Sequence, residues 1–264
     1  MSAVPGAPPE RNLRLVVEYD GSHFHGWQRQ PGLRTVQGAL EDGARTLFGE
    51  ADPYVKGSGR TDAGVHAWAQ VANVRTRSTL PLHRVRNGLN ALAGDGVRVV
   101  EVSEVAADFD ALGSARGKIY GYRVLARPSP SPLLEGRAWW VRHPLDLDAL
   151  ATELATLPAT ADWSAYRASD CGAPDPTKTL RRAAMRPERD GSFTMVFEGS
   201  GFLKQMVRIL SGTAIDVARG RLARGSMVAI RDTKDRTQAG VTAPAHGLYM
   251  ERVLYEDPAE VSRD

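Results

Sequence analysis

Apolar and polar residues alternate from residue 12 to residue 19, which is the period-2 pattern of a β-strand with one apolar face. Apolar residues then recur at helical spacing after Thr35, a residue type that favours the N-terminal cap of a helix. The pattern that follows predicts two strands, a helix and a further strand, over residues 52–56, 68–76, 82–92 and 97–102. The first half of the chain is therefore predicted to run β-α-β-β-α-β.

The second half repeats this order loosely. It begins with a strand over 118–125, followed by a helix over 147–157 that Asp146 can cap and Pro158 ends. An alternating strand, a helix with an apolar stripe and a final strand are then predicted over 193–197, 203–218 and 248–254. We expect an α+β fold in which two ferredoxin-like halves share a largely antiparallel sheet with helices on one face.

The length of 264 residues is enough for one large domain or for two ordinary domains that each bury a core. By composition, the clearest linker is the proline-rich run at residues 127–132. Residues 1–10 are rich in proline and alanine and lack both a basic leader and a long apolar core. We therefore expect a disordered tail there and no secretory signal.

No apolar run approaches the ~20 residues needed to span a bilayer. The single cysteine, Cys171, excludes an internal disulfide and a cysteine metal cluster, and it fits a reducing cytosol. We therefore expect a cytoplasmic protein. Lys and Arg together number 34 against 31 Asp and Glu, a net charge of +3, and most of the basic residues are arginine. This mild excess agrees with an anionic partner and equally with a codon bias toward arginine.

The most informative chemistry lies at residues 57–66, where Asp62 stands beside Arg60 in a glycine-rich loop between two predicted strands. Glycine allows the tight bends that would display this carboxylate, and a neighbouring guanidinium favours its ionised form. Such an aspartate suits a nucleophile. A hairpin turn with a surface ion pair explains the same residues. A phosphate-binding loop fits less well, because the glycine spacing misses both nucleotide-binding patterns.

The run Gly-Arg-Thr-Asp-Ala-Gly-Val-His at residues 59–66 resembles the active-site motif of the TruA-type tRNA pseudouridine synthases. Other segments resemble that family in the family's own order: Tyr19-Asp20-Gly21 with Gly26-Trp27-Gln28-Arg29-Gln30, Thr35-Val36-Gln37, Lys118-Ile119-Tyr120-Gly121-Tyr122, Gly201-Phe202 with Met206-Val207-Arg208 and Gly212, and Thr242-Ala243-Pro244-Ala245 with Gly247-Leu248-Tyr249. Together they span nearly the whole chain, and the ordered set is far more specific than any one segment.

The resemblance implies an isomerase that converts uridine to pseudouridine at positions 38, 39 and 40 of the tRNA anticodon stem-loop, without a metal or an organic cofactor. It identifies Asp62 with the catalytic aspartate and Arg208 with the arginine that pairs with it. It also identifies Tyr120 with the active-site tyrosine and Leu248 with the apolar contact of the base. Arg60 is a second candidate partner of the carboxylate or of a nearby phosphate. Tyr122 is better explained as a core aromatic.

The resemblance further implies a homodimer in which each tRNA touches both subunits. It also places the domain boundary near Asp108, giving an N-terminal domain at 11–107, a C-terminal domain at 108–257 and a tail at 258–264. Because the target uridine must be flipped out of its stack, basic residues that grip the flanking phosphates are expected. The candidates are Arg29, Arg34, Arg75, Arg77, Arg84 and Arg86.

One segment departs from the family. Where the family commonly shows Phe-His-Ala-Arg, this chain reads Phe109-Asp110-Ala111-Leu112, so a histidine and an arginine implicated in RNA contact are missing. We expect the chemistry to survive and the affinity or the choice of uridine to differ.

Two other functions remain open from the residues alone. One is a tRNA-binding or folding-assistance protein in which isomerisation is secondary. The other is an aspartate-dependent hydrolase of nucleosides or sugars, which usually needs a second carboxylate; Asp20 is a candidate, although an Asp-Gly pair is more typical of a turn. His23 and His25 lack an apparent third metal ligand, and His66 has no evident serine or cysteine partner.

Overall fold

The computed structural model describes residues 8–256, which form two compact units. Unit 1 comprises the described residues up to Ala115 together with 255–256, and unit 2 comprises Arg116–Leu254. Of the predicted tails, residues 1–7 and 258–264 lie outside the described residues, whereas residues 8–10 are described and exposed. The boundary predicted at 107/108 lies slightly earlier in the chain and stays a prediction.

Unit 1 has the predicted order β-α-β-β-α-β. Its elements are β1 (Arg11–Tyr19), α1 (Val36–Phe48), β2 (Val55–Gly57), β3 (His66–Thr76), α2 (Leu82–Leu92) and β4 (Val97–Val105). The strands form the order β4-β1-β3, with β2 paired to β3, and every pairing is antiparallel. The inward face of β1 is fully apolar and buried, as its alternation predicts, and α1 and α2 pack against each other.

Both ends of helix α1 are set by residues next to them in the sequence. Thr35 is extended, and its hydroxyl accepts a hydrogen bond from the Gly38 amide at 3.2 Å, so the predicted N-cap is confirmed. The helix ends at Gly49, whose φ of 68° is in the left-handed region that favours glycine.

Unit 2 carries the remaining elements. They are β5 (Gly117–Ala126), β6 (Trp139–Val141), α3 (Leu147–Thr156), β7 (Ala159–Asp162), β8 (Thr177–Pro187), β9 (Phe193–Gly199), α4 (Met206–Ala218), α5 (Ser226–Thr233) and β10 (Leu248–Leu254). The strands follow the order β10-β5-β9-β8-β7 with antiparallel pairing, and β6 pairs with β5 in parallel. The predicted α+β class with largely antiparallel strands is confirmed.

Two details of unit 2 differ from the sequence prediction. Helix α4 begins at Met206 rather than at residue 203, because Gln205 has a φ of 61° and so cannot continue a right-handed helix from before it. Strand β8 and the short elements β6, β7 and α5 were not predicted. The predicted cap of α3 is confirmed, since Asp146 accepts from the Ala149 amide at 2.9 Å.

Helix α4 forms the centre of unit 2, with almost every residue from Met206 to Ala218 buried. A Cβ on Gly212 would lie inside the van der Waals radius of the Val241 carbonyl. The chain entering β10 therefore runs directly against this helix, and only glycine permits the approach. Among residues 8–256, no helix is both long and apolar enough to cross a membrane.

Candidate active site

The loop that carries Asp62 connects β2 to β3 in unit 1. The Val65 amide donates to the Asp62 carbonyl at 3.2 Å, and Gly64 has a φ of 79°, so the chain reverses directly after the aspartate. Asp62 is half-buried and Arg60 is exposed. The loop therefore displays the carboxylate on a tight turn, as its glycines predict.

Buried hydrogen bonds hold the first limb of this loop against β3. The Ser58 amide donates to the Val71 carbonyl at 2.8 Å, and the Ser58 hydroxyl donates to Gln70 Oε1 at 2.6 Å. Gln70 Nε2 in turn donates to the Gly59 carbonyl at 3.0 Å. Both Ser58 and Gln70 are fully buried, so this limb has little freedom to move.

A second set of contacts fixes Thr61, the residue before the aspartate. Its hydroxyl lies 2.9 Å from the Tyr19 hydroxyl, and its carbonyl accepts from the Trp27 amide at 3.1 Å. A Cβ on Gly26 would lie 2.6 Å from the same carbonyl, so the backbones touch. Burial raises the pKa of Tyr19 to about 12, which keeps its hydroxyl protonated at neutral pH.

His66 and Asp20 hold the far end of the loop. The Gly21 amide donates to His66 Nδ1 at 3.1 Å, and the same nitrogen lies 3.2 Å from Asp20 Oδ1. Asp20 also accepts from the Ser22 amide and hydroxyl, at 3.0 and 2.7 Å, and so caps the short turn that follows it. These contacts support the turn interpretation of Asp20 rather than that of a second catalytic carboxylate.

In unit 2, Tyr120 and Leu248 lie on the neighbouring strands β5 and β10. Leu248 pairs with Tyr122, and Met250 pairs with Tyr120. Tyr120 and Tyr122 are two apart on one strand and therefore share a face of the sheet. The ring of Tyr120 meets that of Phe202 edge to face, with centroids 5.2 Å apart.

Arg208 is oriented by the segment that leads into β10. Its Nε donates to the Ala243 carbonyl at 2.8 Å, and the Ala243 amide donates to the Arg208 carbonyl at 3.1 Å. Arg208 thus connects the motif of α4 with the motif before β10, although the two are far apart in sequence. Because the Nε is fixed, the end of the guanidinium has a defined direction.

Tyr122 also contacts the segment that leads into β10. Its hydroxyl donates to the Pro244 carbonyl at 2.7 Å, and a Cβ on Gly247 would lie 2.7 Å from its ring. Burial raises the pKa of Tyr122, and the nearby Arg208 opposes this rise. Tyr122 is fully buried, as a core aromatic should be. Burial, together with the charge of Arg208, also lowers the pKa of His246.

Three of the candidate RNA contacts are already engaged within unit 1. Arg29 forms ion pairs with Glu41 and Asp42, at 3.2 and 3.1 Å. The guanidinium of Arg34 lies over the Phe24 ring, 4.7 Å from its centroid. Arg75 pairs with Glu10 at 3.1 Å and donates to the Ala107 carbonyl. A phosphate must compete with these partners.

The other three arginines are better placed to receive a phosphate. Arg77, Arg84 and Arg86 are exposed, and none of them forms an ion pair with any residue that the structure describes. Arg84 and Arg86 lie on helix α2. Of the six candidate arginines, these three are therefore the best placed to bind a phosphate.

Residues 109–112, which depart from the family pattern, contact strands β2 and β3. Asp110 forms an ion pair with Lys56 and accepts from the amides of Leu112 and Gly113, at 3.0 and 2.7 Å. The Lys56 amine lowers the pKa of Asp110. The Ala111 amide donates to Asn73 Oδ1 at 2.9 Å. Asp110 therefore neutralises a lysine at the start of the candidate loop.

The structure thus groups the predicted residues by unit. Asp62 and Arg60 share the pinned loop of unit 1. In unit 2, Arg208 and Leu248 lie at the entry to β10, and Tyr120 lies on the neighbouring strand β5. Sequence reasoning missed Ser58, Thr61, Gln70 and Tyr19 as the residues that fix the loop. The only signal for them was their position in or beside the family segments. A half-exposed carboxylate held on both sides is suited to act as a nucleophile or as a base.

Comparison with known proteins identifies the family of this chain. A family model described as tRNA pseudouridine synthase matches residues 15–111 and 159–256. The tRNA pseudouridine synthase A of Myxococcus xanthus is 41% identical over 93% of this chain and 92% of its own length. That of Thermus thermophilus is 42% identical over 94% and 98%, and that of Pelobacter propionicus is 40% identical over 93% and 100%. The chain belongs to the tRNA pseudouridine synthase family, a family of isomerases.

Proposed function

We propose that this protein isomerises uridine to pseudouridine at positions 38, 39 and 40 of the tRNA anticodon stem-loop, with Asp62 as the catalytic group. The observation that carries the proposal is the half-buried Asp62 on a loop pinned at Ser58 and Thr61. This loop lies within a chain about 40% identical to proteins named tRNA pseudouridine synthase A. The nucleotide positions follow from the resemblance of the motifs.

The reaction is balanced without an external reagent. The bond from ribose C1′ to uracil N1 breaks, the base rotates, and C1′ bonds to C5. C5 loses its proton and N1 gains one, so there is no net oxidation or reduction. Asp62 attacks C1′ or C6, or removes a ribose proton, and each of these roles requires its deprotonated carboxylate.

The remaining site residues are proposed to bind the substrate. Tyr120 offers a ring that can stack on an extracted uracil, and its edge-to-face contact with Phe202 holds that ring in place. Leu248 offers an apolar contact to the base. Arg208, fixed through its Nε, and Arg60, exposed on the loop, supply guanidinium groups for a carboxylate or a phosphate.

Reaching C1′ requires the uridine to leave its stack, at a cost of a few kcal/mol. We propose that cations on unit 1 offset this cost by holding the flanking phosphates. The exposed Arg77, Arg84 and Arg86 contribute most, and Arg29, Arg34 and Arg75 contribute less because carboxylates, backbone carbonyls or a ring already engage them. A homodimer that shares each tRNA, located in the cytoplasm, completes the proposal.

Position-resolved mapping tests this function. The purified protein is incubated with unmodified tRNA transcript, and pseudouridine is located by carbodiimide treatment and primer-extension stops. We expect stops at positions 38 to 40 with the wild type and with Asp108→Asn, and none with Asp62→Ala. Asp108 is a matched control because it is an exposed carboxylate in the same unit.

Two outcomes favour the other candidates. Tight tRNA binding without any product supports a binding protein. Release of free uracil, from uridine or from tRNA, supports a hydrolase.

A further inference from the structure

We propose that Trp68 is a stacking platform for an unpaired base of the bound RNA, outside the pocket for the target uridine. The proposal rests on the proposed function, since it presumes that unit 1 binds tRNA. It concerns a residue to which neither the sequence motifs nor the family resemblance assigns a role.

The first argument is the register of β3 against β1. Leu13, Leu15 and Val17 pair with Val74, Ala72 and Gln70, so every second residue of β3 faces the core. Continued alternation would place Trp68 next on that buried face. A tryptophan in this position of a strand would normally fill the core.

A β-bulge reverses this expectation. The next core pair joins Tyr19 to Ala67, so β1 advances by two residues while β3 advances by three. The extra residue lies within Trp68 and Ala69, opposite Glu18. Ala67 takes the inward position and is buried, whereas Trp68 is 55% exposed. Bulges often re-aim a side chain beside an active site, and this one turns an indole out of the core.

The second argument is the position of the bulge along the chain. Strand β3 begins at His66, immediately after the loop that carries Asp62. Trp68 is two residues further on, roughly 7 Å along the strand. The same strand carries Val71 and Gln70, which hold the loop. The exposed ring therefore stands on the strand that anchors the Asp62 loop, close to the point where the loop ends.

The chemistry of the surroundings favours a base over a phosphate. Glu18 is exposed opposite the bulge, and its register partner Arg98 is directed to the Gly94 and Val97 carbonyls and to Asp95. A phosphate here would meet the Glu18 carboxylate and would compete with the partners of Arg98. An exposed indole binds best to the neutral π-face of a base, and it does so whatever the sequence of the RNA.

Base stacking on an aromatic side chain contributes ~1–3 kcal/mol by alanine substitution, which corresponds to about 5- to 150-fold in affinity. We therefore expect Trp68→Ala to weaken tRNA binding and to raise KM by about tenfold or more, with little change in kcat. Trp68→Phe should restore most of the affinity, whereas Trp68→Leu should not, because it is apolar without being aromatic.

The experiment compares these variants in two assays. Binding of unmodified tRNA transcript is measured in the Asp62→Ala background, and pseudouridine formation is measured with the intact catalytic residue. Trp140→Ala is the matched control, since Trp140 is 40% exposed on unit 2 and its indole donates to the Arg127 carbonyl. Thermal unfolding of each variant shows whether the fold is retained, as the exposure of Trp68 predicts.

The outcomes separate this proposal from the proposed function. If the wild type forms no pseudouridine, the proposed function fails whatever Trp68 does to binding. If the wild type is active and Trp68→Ala binds tRNA as tightly as the wild type, stacking is overturned while the function stands. Equal losses in Trp68→Ala and Trp140→Ala also overturn it, as does a loss of self-association in Trp68→Ala during sedimentation, which would assign the ring to a second copy of this chain.

Discussion

The hydroxyl of Tyr19 lies 2.9 Å from that of Thr61, the residue immediately before Asp62, although the two are 42 positions apart in sequence. The contact is buried, and it joins the end of β1 to the candidate catalytic loop. It makes the direction of Asp62 depend on a strand that belongs to the core of unit 1.

Tyr19→Phe removes this contact and keeps the ring. Because a buried Thr61 hydroxyl then loses its partner, the free energy of unfolding should fall by about 1–2 kcal/mol. The loop should also lose orientation, so that kcat falls roughly 3- to 30-fold. Tyr166→Phe is the control, since its hydroxyl donates to the Met227 carbonyl in the interior of unit 2. That variant should lose similar stability with kcat unchanged, and equal effects on kcat would contradict the account.

Asp110→Asn tests the ion pair with Lys56. Removing the carboxylate frees a cation at the start of the candidate loop, so tRNA binding should tighten at low salt. The plot of log Kd against log salt concentration should steepen by about 0.7–0.9, the value for one additional phosphate contact. Asp108→Asn should leave the slope unchanged. A slope in Asp110→Asn equal to that of the wild type would show that Lys56 does not meet RNA.

Lys118→Met tests a partly buried amine on β5. Burial lowers the pKa of Lys118 to about 8, and among the described residues no carboxylate pairs with it. Between about pH 8 and the ordinary value of 10.5, the unfolded chain therefore binds more protons, and this residue makes stability rise with pH.

Lys118→Met should consequently be more stable than the wild type at pH 7, and the difference should shrink as the pH rises toward 10. Denaturant unfolding at several pH values measures it. Lys234→Met, which changes an exposed lysine paired with Asp162, should show no such convergence. A constant difference across this range would contradict the assignment.

Gly212→Ala tests the packing that orients Arg208. The added methyl group must displace the Val241 carbonyl, and with it the segment that binds the Arg208 guanidinium. We expect a loss of about 2–4 kcal/mol in the free energy of unfolding. Gly172→Ala is the control, because a Cβ there meets open space. A neutral Gly212→Ala would mean that the segment yields easily and does not fix the arginine.

The fold could be predicted where each element follows from neighbouring residues. The alternation of β1 and the Thr35 cap of α1 are local signals, and both are confirmed. The start of α4 was missed because Gln205 adopts a left-handed conformation that no local pattern signals. The bulge at Trp68 was missed for a related reason, since the register between two strands depends on both of them.

The candidate site likewise has features that the sequence predicts and contacts that it does not. Glycines and adjacent charges mark the Asp62 loop in the sequence itself. The bonds from Thr61 to Tyr19 and from Ala243 to Arg208 join residues that only the folded chain brings together. The pairing of Asp110 with Lys56 shows the same limit, because the sequence indicated only that a family histidine was missing.

The central claim is that Asp62 catalyses replacement of the bond between ribose C1′ and uracil N1 by a bond between C1′ and C5. The most direct measurement uses tRNA transcript carrying tritium at uracil C5 and follows its release under single-turnover conditions. The wild type should release tritium only from uridines at positions 38 to 40. Asp62→Asn should bind the tRNA but release tritium at least about a thousandfold more slowly. Release by Asp62→Asn at nearly the wild-type rate would contradict the assignment of Asp62 as the catalytic group.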